Sequence, residues 1–510
     1  MRWIRIVALG LTLMSCGGGS PNWREIGARC AVPRSGSDPF TGHAYPDRKG
    51  TLDDEKIWLR AWIDDTYLWY NEVPSLNPAQ YDSATKYFDD LKTRASTPSG
   101  KPKDQFHFYM PTLEWEQSSQ SGTELGYGIT WVVLSGHDGL PAIPRQWFVG
   151  YVEPGSPADG KIARGAQLKL IDTVNFETAN TQTEVDALNA GLFPANLGET
   201  HTYTVLDVGM TSTRDVPLQA AVLTSNPVPN PQFVTTTAGN VGYLLFNDHI
   251  ATAEQKLIDA FNSLKAQNIT DLVLDIRYNG GGYLAIASEI AYMIAGSART
   301  SGRTFEQLKF NDKYPSTDPV TGRQISPTPF YNQALGLSAP TGTALPALGL
   351  PRVFVLTGPG TCSASESILN GLDGVGVQVI QIGKTTCGKP YGFYPEDNCG
   401  TTYFSIQFRG VNAKGFGDYA DGFTPAATPP LAGFVGCTVP DDFTKPLGDP
   451  GENRFETALN YSVTGACGTP AAARALTATA GPRGDGAVVK SIWRQNRILG
   501  MPPTARPQKQ

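Results

Sequence analysis

Apolar positions along the 510-residue chain change their period several times, and each change marks an element. From Leu52 to Tyr70, Ile57, Trp58, Trp62 and Ile63 fall on one helical stripe, and Tyr67 to Tyr70 extends it into an aromatic cluster before Val73-Pro74. A second helix is predicted over Ser83 to Arg94. Short alternating runs predict strands and loops from about 120 to 225. After a Pro/Asn-rich joint, Pro227 to Pro231, Val241 to Phe246 reads as a strand. Thr252-Ala-Glu-Gln255 then reads as a capping box opening a helix that buries Leu257, Ile258, Phe261 and Leu264. Thr270 to Ile276 is a continuous apolar strand. Strands alternating with helices of this length imply βαβ units, hence an α/β domain. A strand over Thr402 to Phe408 and a helix from Asp449 to Tyr461 follow. Residues 300 to 350, rich in Thr, Pro and Gly, are expected as a surface excursion near the cleft, and the Ala/Pro/Arg-rich tail from Gly468 as peripheral.

Chemistry concentrates between Val353 and Lys389. A β-branched run, Val353 to Thr357, meets a Gly-Pro-Gly break, and Ser363-Ala-Ser-Glu366 opens a segment with Ile368, Leu369 and Leu372 at helical spacing. At such a strand-turn-helix junction a serine hydroxyl stands clear of the sheet, beside helix N-terminal amides able to hold an oxyanion. Val377 to Ile382 predicts the returning strand, and Lys389 follows it. An isolated Ser-x-x-Glu is equally the pattern of a capping box, with Ser363 or Ser365 as N-cap and Lys389 as a solvated charge.

Ser363-Ala-Ser-Glu366 with Gly388-Lys389 resembles the motifs of the tail-specific, or carboxyl-terminal processing, peptidases, which are Ser-Lys serine peptidases related to the tricorn core. The resemblance implies Ser363 as nucleophile, Lys389 as general base and Glu366 as the carboxylate that orients the lysine, with Lys384 a weaker candidate for the base. Many family members carry a glutamine one helical turn after the lysine, where this chain has Phe393. Arg277-Tyr-Asn-Gly-Gly-Gly-Tyr283 is similar to the family's glycine-rich loop, which implies one oxyanion amide from Gly281, or else Gly282, and the other from Ala364. The rival reading of these glycines, a phosphate loop, lacks a following Gly-Lys-Ser/Thr. The implied fold is an α/β catalytic domain with ClpP/crotonase-like ββα layers, a small helical N-terminal module, and an inserted or preceding PDZ-like β-rich domain. In that PDZ-like domain Gly126, Tyr127, Gly128 and Ile129 would form the peptide-binding loop. Such a groove captures an extended peptide by adding it to a sheet edge.

A lysine base makes a physical demand. With an ordinary pKa of about 10.4 it must be lowered by roughly 3 pKa units, about 4 kcal/mol, to act near neutrality. Burial supplies such a shift, and Glu366 is expected to orient the ammonium through a long, adjustable contact. The alternative base, a histidine in a triad, rests on His249, the one of five histidines within the catalytic region.

Residues 1–15 read as a cleaved signal peptide, with Leu13-Met14-Ser15-Cys16 matching a bacterial lipoprotein signal, and Cys16 as the lipidated residue. The expected partition is a tether over 16–50, the helical module over 51–115, the PDZ-like domain over 120–225, the catalytic domain over 232–467 and the tail over 468–510. A net charge of −6 gives no support for nucleic-acid binding. Six further cysteines in an exported chain suggest up to three disulfides, with Cys387 paired to Cys362 or to Cys399. No metal site and no cofactor are expected. Together these features describe a membrane-tethered serine endopeptidase of the cell envelope, at the outer membrane or in the periplasm, acting on protein or peptide tails. The alternative is a catalytically silent peptide-binding lipoprotein on the same scaffold.

Overall fold

The computed structural model describes residues 21–135, 144–229, 231–468, 484–490 and 497–499. Residues 1–15, expected as a signal peptide, and Cys16, expected as the lipidated residue, lie outside the described residues.

Helix α1 (Leu52–Thr66) starts at Thr51, whose hydroxyl accepts the Asp54 N–H at 3.2 Å while Asp54 accepts the Thr51 N–H at 2.9 Å. Trp58, Leu59, Trp62 and Ile63 are buried, but Ile57 is 49% exposed, so the stripe is narrower than expected. Trp58 and Trp62 stack at 5.6 Å and both meet Tyr403, which joins this helix and α2 (Ala84–Asp90) to one continuous apolar core with the α/β region. Residues 21–50, expected as a tether, are built into the fold. Cys30 is disulfide-bonded to Cys399, and Arg34 bridges Asp47 and Asp397.

The β-rich region comprises β1 (Thr123–Gly126), β2 (Ile129–Ser135), β3 (Gln146–Val152), β4 (Gln167–Ile171), helix α3 (Gln182–Leu192), β5 (Thr200–Leu206), β6 (Arg214–Gln219) and β7 (Ala221–Thr224). Strands β6-β5-β4-β3-β2 form an antiparallel sheet in that order, while β7 pairs with β1. Its own core is Trp131, Val149, Leu168, Leu188, Tyr203 and their neighbours.

The α/β region is built on β8 (Gln232–Thr236), β9 (Gly239–Leu245), α4 (Ala253–Ala266), β10 (Asp271–Asp275), β11 (Gly281–Tyr283), α5 (Leu284–Ala295), β12 (Arg352–Thr357), α6 (Ala364–Gly374), β13 (Gln378–Gly383), β14 (Thr424–Ala426), β15 (Gly433–Thr438) and α7 (Asn453–Thr464). Its main sheet runs β8-β9-β10-β12-β13-β15-β14, parallel from β9 onward. Both faces are covered, which is why β10 and β12 read as unbroken apolar runs.

Three expectations are corrected here. The Thr252 capping box is not made; instead Glu254 accepts the N–H groups of Leu335, Gly336, Ser338 and Ala339 at 2.7 to 3.2 Å. That carboxylate anchors the 300–350 stretch, which is no loose excursion: Phe305, Phe330, Ala339, Leu345 and Leu350 are buried in the main core. The tail is not peripheral either. Strand β16 (Ala487–Val489) extends the β-rich sheet on β2, and the backbone of β17 (Arg497–Leu499) pairs with β11.

Candidate active site

Two chain turns place the chemistry. The first is the β12–α6 junction, where Ser363 has φ +67° and ψ −121°. A non-glycine residue with this backbone is strained by about 1–3 kcal/mol and persists only where its surroundings over-determine it. Those surroundings are the Ser363 N–H donated to Glu366 Oε2 (2.8 Å), the Cys362 N–H donated to the Asn279 carbonyl (3.1 Å) and the Ser365 hydroxyl donated to the same carbonyl (3.0 Å). Ser363 is fully buried and its Oγ makes no hydrogen bond. Ser363 is therefore not a side-chain N-cap.

The second turn follows β13. Glu366, also fully buried, accepts the Gly388 N–H (2.9 Å), the Lys389 N–H (2.8 Å) and the Thr386 hydroxyl (2.5 Å). One carboxylate thus holds the backbone of both Ser363 and Lys389. Burial pushes its carboxyl above the ordinary range, opposed by these four donors. The Cys362–Cys387 disulfide fixes the two turns covalently, selecting one of the two pairings the sequence left open, and Cys437 pairs with Cys467.

Lys389 is fully buried, with Nζ 4.3 Å from the Phe393 ring centre and 4.8 Å from that of Phe106. Phe393 therefore stands directly against the Lys389 side chain. Phe106 arrives from the N-terminal module, a contact across 283 positions that no local pattern signals. Because Ser363 Oγ has no partner, the serine–lysine hydrogen bond is not closed in this state. Lys384 is half-buried at the end of β13 and its charge acts on Asp485.

The glycine-rich loop faces the serine turn. Gly281 donates its N–H to Asn279 Oδ1 (3.0 Å), and His249 Nδ1 lies 3.0 Å from the same oxygen. The Gly281 amide, expected first as an oxyanion donor, is thus turned onto a side chain, and Gly282, the other glycine the resemblance implied, has a φ of +146° that favours glycine. Ala364 begins α6, so its amide belongs to the first turn, which lacks intrahelical acceptors. His249 is fully buried and burial pushes its pKa down to about 3, which keeps the imidazole neutral. It braces the loop through Asn279 and makes no hydrogen bond to Ser363. Asn279 is the residue the sequence reading missed; its signal was its place in the Arg277-Tyr-Asn279 motif.

A family model described as peptidase family S41 matches residues 240–392, and one for the peptidase S41 N-terminal domain matches residues 54–106. Residues 54–106 and 240–392 are thus similar to the two domains of peptidase family S41. A carboxyl-terminal-processing protease of Picosynechococcus sp. is 31% identical over 139 residues, 27% of this chain and 32% of that protein, so the match spans about a third of the relative. The crystal structure of an S41 protease from Bacteroides fragilis, 21% identical, superposes with a TM-score of 0.57 over 82% of this chain and 97% of its own, which shows a shared fold. In this S41 fold the matched segment contains both turns and the glycine-rich loop.

Beneath the site lies a buried charge network. Arg277, which opens the glycine-rich loop, contacts Asp275, Asp441 and Glu452 at 2.7 to 3.0 Å. Arg164 from the β-rich region reaches the same Asp441 oxygen at 2.7 Å. The two guanidinium groups hold the Asp441 carboxyl far below the usual range despite its burial.

Proposed function

We propose that the chain is a serine endopeptidase in which Ser363 attacks a peptide carbonyl, Lys389 takes the hydroxyl proton, and the acyl-enzyme is resolved by water. The observation that carries this reading is the shared Glu366, which positions a strained serine and a buried lysine from two different turns. Lys389 lies fully buried between Phe106 and Phe393, out of contact with bulk water. Gly282 and Ala364 are the assigned oxyanion donors. The open Ser363–Lys389 contact fits a serine peptidase with no scissile carbonyl at its serine, in which such hydrogen bonds tighten on substrate binding.

The β-rich region is assigned a PDZ-like role in selecting extended tails, and the Picosynechococcus relative is named a carboxyl-terminal-processing protease. Gly128 supports it: with φ +81°, and with a Cβ there falling 2.2 Å from Ser156, the turn into β2 accepts only glycine. Anchoring through Cys16 in the cell envelope completes the proposal. Among the described residues no helix is long and apolar enough to cross a membrane.

Cleavage of casein by the full chain, beside Ser363→Ala and Lys389→Ala, tests the dyad. Both variants are expected to lose activity by at least about 10³-fold. Survival of activity in Lys389→Ala would remove the lysine from the mechanism.

A further inference from the structure

The C-terminal residues lie on the surfaces an incoming peptide would need. Strand β16 adds antiparallel to the outer edge of β2, in register Ala487 with Val133, Val488 with Val132 and Val489 with Trp131. Without it, β2 would be the open edge of the sheet, the edge that captures an extended chain. Further on, the backbone of β17 runs parallel to β11, with Gly282 opposite Ile498, beside the serine turn.

The seating of residues 484–490 is specific. The Gly484 N–H donates to the Asp441 carbonyl (3.2 Å), and Asp485 pairs with buried Arg454. A Cβ on Gly486 would fall 1.7 Å from the Val133 carbonyl oxygen, so only glycine allows this approach. Val488 packs beside Gly360 in the Gly-Pro-Gly turn that leads to Ser363, where a Cβ would meet its Cγ2 at 2.4 Å. It joins Val132, Phe148, Tyr278 and Phe443 in an apolar cluster between the β-rich and catalytic regions. Lys490 Nζ donates to the Asn247 carbonyl (2.8 Å) and lines the cavity formed by Tyr127, Ile129, Trp131, Leu192 and Phe193.

We propose that the segments 484–490 and 497–499 are an intramolecular peptide seated in the substrate track, so that this state is self-blocked and a substrate tail enters by displacing it. The proposal rests on the peptidase reading for its consequence, but the occupancy itself is a binding statement. Ala487-Val488-Val489 also shows what the β2 edge accepts: a short extended run of small and β-branched residues.

The test uses the full chain carrying Ser363→Ala and a fluorescein-labelled heptapeptide of the strap's own sequence, Gly-Asp-Gly-Ala-Val-Val-Lys. Two separate variants open the strap: Gly486→Val by collision with β2, and Asp485→Arg by repulsion from Arg454. A third, Val133→Cys with Ala487→Cys, ties directly opposed positions together. Peptide affinity should rise about tenfold or more in both opened variants relative to the Ser363→Ala chain, since the blocked fraction no longer reduces it. It should fall in the tied variant and recover on reduction. With Ser363 restored, the opened variants should cleave casein several-fold faster. Equal peptide affinity in the native, opened and tied chains would overturn the proposal, as would slower cleavage by opened variants whose circular dichroism is unchanged. Stronger peptide binding with no cleavage by any variant would uphold the strap and refute the peptidase reading instead.

Discussion

At the scale of single residues, Glu366 is the hinge of the site, since its two oxygens accept from Ser363, Thr386, Gly388 and Lys389. In Glu366→Gln one of those oxygens becomes an amide donor facing donors. We expect a loss of about 1–3 kcal/mol in stability, seen as a lowered urea midpoint, and a fall in kcat larger than any change in KM. That Ser363, Glu366 and Lys389 come together was legible because their spacing and flanking residues form a motif. The turning of the Gly281 N–H onto the Asn279 side chain was not, because hydrogen-bond competition inside a loop leaves no periodicity. The expected contact between Glu366 and the lysine is realised at least in part through the Lys389 backbone N–H, a geometry that spacing alone does not distinguish from a side-chain contact.

Among the elements, the βαβ units were readable from unbroken apolar runs, and the helix expected over Ser83 to Arg94 is present as α2, ending four residues earlier. The 300–350 stretch was misjudged because its buried residues are widely spaced and its anchor, Glu254, sits on another element. Within that stretch Glu306 lies fully buried against Gly410 of the strand Phe408–Val411, and burial pushes its pKa from 4.5 up to about 7. The folded chain therefore holds this proton better than the unfolded chain. Its contribution is complete below pH 4.5 and is lost as pH rises through 7, by roughly 3 kcal/mol in all. Thermal melts of Glu306→Gln should show a flatter stability curve than the native chain between pH 4.5 and 7. Equal slopes would contradict the assignment. The Cys362–Cys387 bridge makes a second prediction at this scale. Cys362→Ala/Cys387→Ala should lower kcat by more than it raises KM, because the bridge joins the residue before Ser363 to the turn before Lys389.

For the whole molecule, the β-rich region is tied to the glycine-rich loop through Arg164, Asp441 and Arg277. Arg277→Met would leave Asp441, Glu452 and Asp275 buried with fewer cations, and is expected to cost about 3–5 kcal/mol. Calorimetry of that variant should show the loss as a lower Tm at neutral pH. Mixed α/β sheets and an N-terminal helical part were legible in the sequence, but the continuity of the core between them was not. The aromatic stripe of α1 completes a core shared with Tyr403, and the tail returns to the sheet it was expected to leave. Both contacts join residues hundreds of positions apart, which local pattern does not encode. The central claim, that Ser363 is a nucleophile activated by Lys389, is tested most directly by intact-mass analysis of the full chain after reaction with a peptidyl fluorophosphonate. One adduct, mapped to Ser363 and slowed severely in Lys389→Ala, is the predicted result; an adduct elsewhere, or labelling of Ser363 at the same rate without the lysine, would contradict it.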